Sequence, residues 1–218
     1  EMCIRDSGIA WLLGVSDKDI ASYLEEHELA IQREFDTHGD TTDQKILADI
    51  LAGKYIDSEG KTKSLDDLML HPHAQMAKLE RHHVLALRLY THDSVYSKIN
   101  DPLRRDPPVR PHPFAATTYF VSEGIKKLRA VSAQLPDAYE GRVFWRGMKD
   151  LGLDQGAFKE KGGTDFGCVS TTANQSVAVR NFAVGSLPMV FRVISKGPMD
   201  RGADISFLSV YPREEEYL

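Results

Sequence analysis

Apolar side chains recur at intervals of three and four residues as far as Pro136, then give way to short extended runs. Ile20, Leu24, His27, Ile31 and Phe35 mark one face of an amphipathic helix, with Ser16 and Asp19 as a capping box ahead of it. Thr37-His38-Gly39-Asp40-Thr41 breaks the pattern. Thr42 is expected to cap a second helix that turns Ile46, Leu47, Ile50 and Leu51 inward and stops at Gly53. Tyr55 to Lys63 reads as a polar turn, and Ser64 with Asp67 opens another helix before Leu65, Leu68 and Met69. A longer helix is predicted from Ala74 to Tyr90, carrying Ala77, Val84 and Leu87. A short one follows at Val95, Tyr96 and Ile99, then a proline-rich loop from Asp101 to Pro113. Val121, Ile125, Leu128, Val131 and Leu135 form the last helical stripe.

Beyond Pro136 the predicted strands are Arg142–Met148, Cys168–Thr172, Met189–Ile194 and Ala203–Val210, with a final one at Glu214–Leu218. Helices first and strands later predict an α+β fold rather than an alternating parallel sheet.

Composition narrows the function. The 218 residues are 42% hydrophobic and 27% charged, enough for one core or a core with a small helical annex. A net charge of −5 gives no electrostatic footprint for nucleic acid or for an acidic lipid surface. Cys3 and Cys168 make no disulfide framework. No apolar run is long enough to span a membrane, and Trp11-Leu12-Leu13-Gly14-Val15 is too short for a signal sequence. A cytoplasmic protein and a secreted, toxin-like one both fit, and both ends read as the ends of a fragment. Neither Asp36–Asp43 nor Asp57–Asp67 has the alternating oxygen ligands of a calcium loop. His71, His73, His82 and His83 fit no zinc spacing and are expected as turn and helix-surface residues, so no metal is expected.

The chemistry gathers in the second half. If Glu214–Leu218 is extended, Glu214 and Glu216 share a face about 7 Å apart along the strand while Glu215 faces away. Paired carboxylates suit work on a sugar carbon that becomes cationic, and their proximity raises one pKa. Such a run is also the composition of a solvated acidic tail. In Phe144-Trp145-Arg146-Gly147-Met148 the arginine offers a planar fork for a phosphate, and Gly147 allows close approach of a ligand. Ser170-Thr171-Thr172 supplies hydroxyls that can orient a carboxylate or a ribose. The glycine-rich Lys161–Gly167 matches neither the P-loop nor the dinucleotide fingerprint and is given no phosphate role.

In order, Arg146, Ser170-Thr171-Thr172 and Glu214-Glu215-Glu216 make an R…S-T-T…E-x-E series. This resembles the NAD:arginine mono-ADP-ribosyltransferase family, in its R-S-E branch. Leu87-Arg88-Leu89-Tyr90-Thr91, Ile99-Asn100 and Leu103-Arg104 resemble its helical lead-in, and Ser209-Val210-Tyr211-Pro212 its approach to E-x-E. The resemblance covers residues 74–218, a lead-in over 74–136 and a β-rich core with an NAD cleft over 140–218. Residues 1–73 are left as a helical segment of unknown role. It implies a transferase moving ADP-ribose from the co-substrate NAD to an arginine of a target protein, with loss of nicotinamide. Arg146 would hold the NAD phosphates, the Gly147 backbone the nicotinamide amide, and Phe182 the nicotinamide face, although a core phenylalanine fits Phe182 equally. Ser170 would orient Glu216, with Thr171 and Thr172 completing its strand. Glu216 would bind the ribose and stabilise its cation, and Glu214 would hold the acceptor guanidinium. Water in the acceptor's place would give an NAD glycohydrolase. An inactive NAD- or protein-binding relative and a plain helical interaction protein are the other readings.

Overall fold

The computed structural model describes residues 26–136, 140–149 and 155–218. The capping box at Ser16 and the start of the first predicted helix lie outside them. The described helices of the first half are α1 (His27–His38), α2 (Thr41–Leu51), α3 (Leu65–Met69), α4 (Pro72–Met76), α5 (Arg81–Tyr90), α6 (Asp93–Arg104) and α7 (Ala115–Ser132). In the second half are β1 (Arg142–Met148), α8 (Gln155–Lys161), β2 (Thr171–Thr172), α9 (Gln175–Val177) running into a π turn at Ala178–Phe182, β3 (Met189–Ser195), α10 (Pro198–Arg201) and β4 (Glu216–Tyr217). The strands form one antiparallel sheet in the order β3-β1-β2-β4. The α+β prediction holds.

Helix α5 is the centre of the helical half: every residue from His82 to Tyr90 is buried. It packs against α7, α3 and α1, and Ile31, Phe35, Ile46, Leu47, Leu65, Leu87 and Val121 share one core. Ala203, Ile205, Leu208 and Leu218 extend that core into the second half, so the helices and the residues beside β4 are packed together. Glu34, itself buried, accepts the amides of Ala116 and Thr117 at 2.6 and 3.0 Å and so caps α7 from a neighbouring helix. Among the described residues no helix is long and apolar enough to cross a membrane.

Several boundaries differ from the sequence expectation, each for a local reason. The N-cap of α2 is Asp40, not Thr42: its carboxylate accepts from Thr42 and Asp43, and Asp43 reaches back to its amide. The predicted helix from Ala74 to Tyr90 is two, because Lys78 takes a left-handed φ of 50° and the Glu80 amide is capped by His83 Nδ1 at 3.1 Å. His82 and His83 are therefore buried, not helix-surface residues. Helix α6 continues through Pro102 to Arg104, beyond the predicted stop. Cys168–Thr172 contributes only Thr171–Thr172 to the sheet. The run Ala203–Val210 is not a strand: after the bridge at Asp204, Leu208 and Ser209 donate to the Ile205 carbonyl in a turn. The box at Ser64 and Asp67 and the strand β1 are as predicted.

Candidate active site

A cavity of about 360 Å³ lies where the helical half meets the sheet. Its walls come from α5, α6, β1, the segment leading into β2, the π turn and the approach to β4. Arg146, Gly147, Ser170, Thr171, Phe182, Glu214 and Glu216, the site residues expected from sequence, all line it.

The register of the sheet explains the meeting. Thr172 pairs with Trp145 on one side and with Glu216 on the other. The ends of β1, β2 and β4 are thereby held side by side. Ser170 Oγ donates to Glu216 Oε1 at 2.7 Å, and Ser209 Oγ donates to Oε2 at 3.4 Å. Burial pushes the Glu216 pKa up, and these two hydroxyls oppose it by favouring the charged form. Glu214 is pushed up to about 7, first by burial and then by the charge of Glu216, against a hydrogen bond from Asn181 Nδ2 at 3.5 Å.

The expected extended run through Glu214 is absent. Pro212–Glu214 is a 3-10 turn, Glu215 is left-handed (φ 49°, ψ 52°), and the strand begins at Glu216. Both flanking carboxyls still line the cavity and Glu215 is exposed, but a turn produces this, not strand alternation.

At the other end Arg146 Nη1 donates to the Ser170 carbonyl at 3.0 Å, and its Nη2 lies 3.6 Å from Asp165. Arg104 grips the same Asp165 carboxylate with two bonds of 2.8 and 2.9 Å. The cavity is thus polarised, with the guanidiniums of Arg104 and Arg146 around Asp165 at one end and the carboxyls of Asp93, Glu214 and Glu216 at the other. Gly147 has no room for a side chain: a Cβ there would meet the Ala178 carbonyl oxygen at 2.2 Å and the Ala183 nitrogen at 2.6 Å. The glycine lets the π turn cross β1 and hold Phe182, 40% exposed, against the cavity. Phe182 is therefore not a core residue.

Sequence reasoning gave no site role to Tyr90, Asn100, Arg104, Asp165 or Ser209. Tyr90 OH donates to the Cys168 carbonyl at 3.1 Å, and Asn100 Oδ1 accepts the Cys168 amide at 2.8 Å. Together they fix the chain two residues before Ser170. Thr172, almost fully buried, caps the Asn174 amide at 3.0 Å. Among the described residues Glu80, His82 and His83 have donor atoms within 4.8 Å of one another, close enough for a metal ion. His83 Nδ1 accepts the Glu80 amide, and Lys127 Nζ lies 3.2 Å from the Glu80 carboxylate. Burial lowers His82 to about 4 and His83 to about 3, so both rings are neutral packing partners at ordinary pH.

A family model for NAD:arginine ADP-ribosyltransferases matches residues 51–218. The chain belongs to this family. A search of curated protein sequences returned no match. Among solved structures, the eukaryotic mono-ADP-ribosyltransferase ART2.2 is similar with a TM-score of 0.53 and 16% identity, over 91% of this chain and 76% of that one. An ART2.2 mutant in complex with NAD gives 0.51 and 15%, over 91% and 76%. The type III effector XopAI from Xanthomonas axonopodis pv. citri gives 0.53 and 14%, over 92% and 83%. At these identities the likeness is one of fold. The ADP-ribosyltransferase fold accounts for the order of the parts: a helical lead-in, then a sheet whose strand ends carry the polar groups.

Proposed function

We propose that this ADP-ribosyltransferase moves ADP-ribose from NAD to an arginine of a target protein, with release of nicotinamide. The observation that carries the reading is the 2.7 Å bond from Ser170 to Glu216, in one cavity with Glu214 and facing Arg146.

The polarity of the cavity matches the substrates. NAD brings two phosphate charges, and Arg146 offers a fixed cation to receive them. The Gly147 backbone is open to the nicotinamide amide, and Phe182 presents a face for its ring. The C1′–N bond breaks with its electron pair going to nicotinamide, which leaves neutral. The positive charge then spreads over C1′ and the ring oxygen of the ribose. Glu216, oriented by Ser170, binds the ribose 2′-hydroxyl and stabilises that charge, a preorganised electrostatic effect in a part-enclosed site. Glu214 holds the acceptor guanidinium beside C1′ and takes the proton lost when its nitrogen bonds to carbon. The NAD-handling groups all lie after residue 74, where we place the start of the catalytic domain, inside a family match that begins at residue 51. The earlier described helices act as its packing partners.

A second reading has its own support. With Glu214 titrating near 7, much of its population is protonated at neutral pH and grips a cation poorly, so water competes for C1′ and some NAD is hydrolysed. The deciding assay follows labelled NAD with agmatine as acceptor, alongside nicotinamide release. Glu216→Gln is expected to lower both by about a thousandfold, the scale of losing one key electrostatic contact, with a melting temperature no lower than the parent's. Full labelling by Glu216→Gln would sink the assignment.

A further inference from the structure

Arg88 heads the largest fully buried side chains among the described residues, and nothing in the mechanism above uses it. Its Nη1 donates to the carbonyls of Leu208 and Ser209 at 2.8 and 2.6 Å, and its guanidinium lies 5.6 Å from the centre of the Tyr55 ring. Thr91, three residues on, donates to the Arg88 carbonyl and accepts the Val210 amide at 3.1 Å. The end of α5 therefore holds the backbone of three successive residues, 208 to 210. Ser58 adds a bond from its amide to the Val210 carbonyl at 2.9 Å. This is an unusual investment of buried polar groups in a segment that is neither helix nor strand.

The segment presents one side chain to the reaction. Ser209, fully buried, accepts the Tyr211 amide at 3.0 Å and donates to Glu216 Oε2 at 3.4 Å. Ser170 holds only the other oxygen, Oε1. A carboxylate held at one oxygen can still pivot about that bond. Held at both, its plane is set, as in sites where supporting hydrogen bonds orient the reacting group. Bonds of this kind are long in an empty site and shorten around the reacting complex.

We propose that Ser209, anchored by Arg88 and Thr91, is a positioning residue for Glu216, fixing the carboxylate plane that Ser170 alone leaves free. The role rests on Glu216 acting on NAD as set out above. The other role open to Ser209, shaping the turn through Tyr211, makes a different prediction. Losing a donor to the charged carboxylate raises its pKa, whereas loosening a turn does not.

The test is NAD cleavage without acceptor, followed by nicotinamide release from pH 5 to 9, for the unaltered chain, Ser209→Ala and Arg88→Met. Ser209→Ala is expected to lower kcat about five- to tenfold with KM for NAD within about twofold, the pattern of a lost transition-state contact. The acid limb of its kcat/KM profile is expected to rise by about half a pH unit or more. Arg88→Met is expected to move both in the same direction, and if it fails to fold, Ser209→Ala decides alone. An acid limb and kcat unchanged in Ser209→Ala, with or without a lower melting temperature, overturn the proposal. Absence of cleavage by the unaltered chain overturns the functional reading itself, and this one with it.

Discussion

Glu214 gives the sharpest test of how the two ends of the cavity divide their work. Its pKa stands at about 7 because it is part-buried beside Glu216. A carboxyl titrating there is ionised in roughly one molecule in eleven at pH 6 and roughly ten in eleven at pH 8. On the proposed mechanism only the ionised form holds the acceptor guanidinium. Transfer to agmatine should therefore rise about tenfold relative to NAD hydrolysis between pH 6 and pH 8. On the same mechanism both reactions require Glu216, so its own titration cancels in the ratio. The assay runs both products from one reaction, ADP-ribosylagmatine and free ADP-ribose, at constant ionic strength. In Glu214→Gln the ratio should be low and flat with pH. A flat ratio in the unaltered protein, or a slope that survives Glu214→Gln, would refute the reasoning. Stability supplies an independent check. The folded state binds this proton more tightly than the unfolded chain, so Glu214 costs stability as pH rises from about 4.5 to about 7. Glu214→Gln should melt about 2–4 °C higher than the parent at pH 8, about 1 kcal/mol after allowance for solvent at a part-exposed side chain, and no higher at pH 4.

Two further substitutions test the walls of the cavity. Gly147→Ala places a methyl group 2.2 Å from a backbone oxygen of the π turn, so it should cost about 2–4 kcal/mol and displace Phe182, seen as a lower melting temperature and a raised KM for NAD. A variant that melts like the parent would mean that the π turn does not cross β1 as described. Asp165→Asn releases Arg104 and Arg146 from the carboxylate they share, and should lower KM for NAD about three- to tenfold at low salt, with a steeper loss as salt rises. Weaker NAD binding by Asp165→Asn would instead make Asp165 an organiser of the two arginines.

The helices were legible because their apolar spacing is the direct imprint of one buried face; the box at Ser64 and α7 as far as Val131 follow the pattern, while Leu135 falls past the end of the helix and is exposed. Helix α5 was harder because it is buried all round, so no stripe marks its start, and the break at Lys78 has no sequence signal beyond a nearby Glu80. The strands were over-read where apolar residues sit in turns: Ala203–Val210 carries them because it packs on the helical core, not because it joins the sheet. Motif order placed Arg146, Ser170, Glu214 and Glu216 together, and they do share a cavity. The supporting contacts were out of reach. Arg104 meets Asp165 across 61 positions and Tyr90 meets Cys168 across 78, and no local pattern records such pairings.

The bonds from Arg88 and Thr91 reach forward 119 to 121 residues to the segment that shapes the carboxylate end of the cavity. During synthesis Arg88 and Thr91 therefore leave the ribosome more than a hundred residues ahead of the carbonyls and amide that satisfy them. Until that later segment arrives the end of α5 carries polar groups it has no means of burying, so the helical half is complete only once the carboxylate end of the cavity has formed against it.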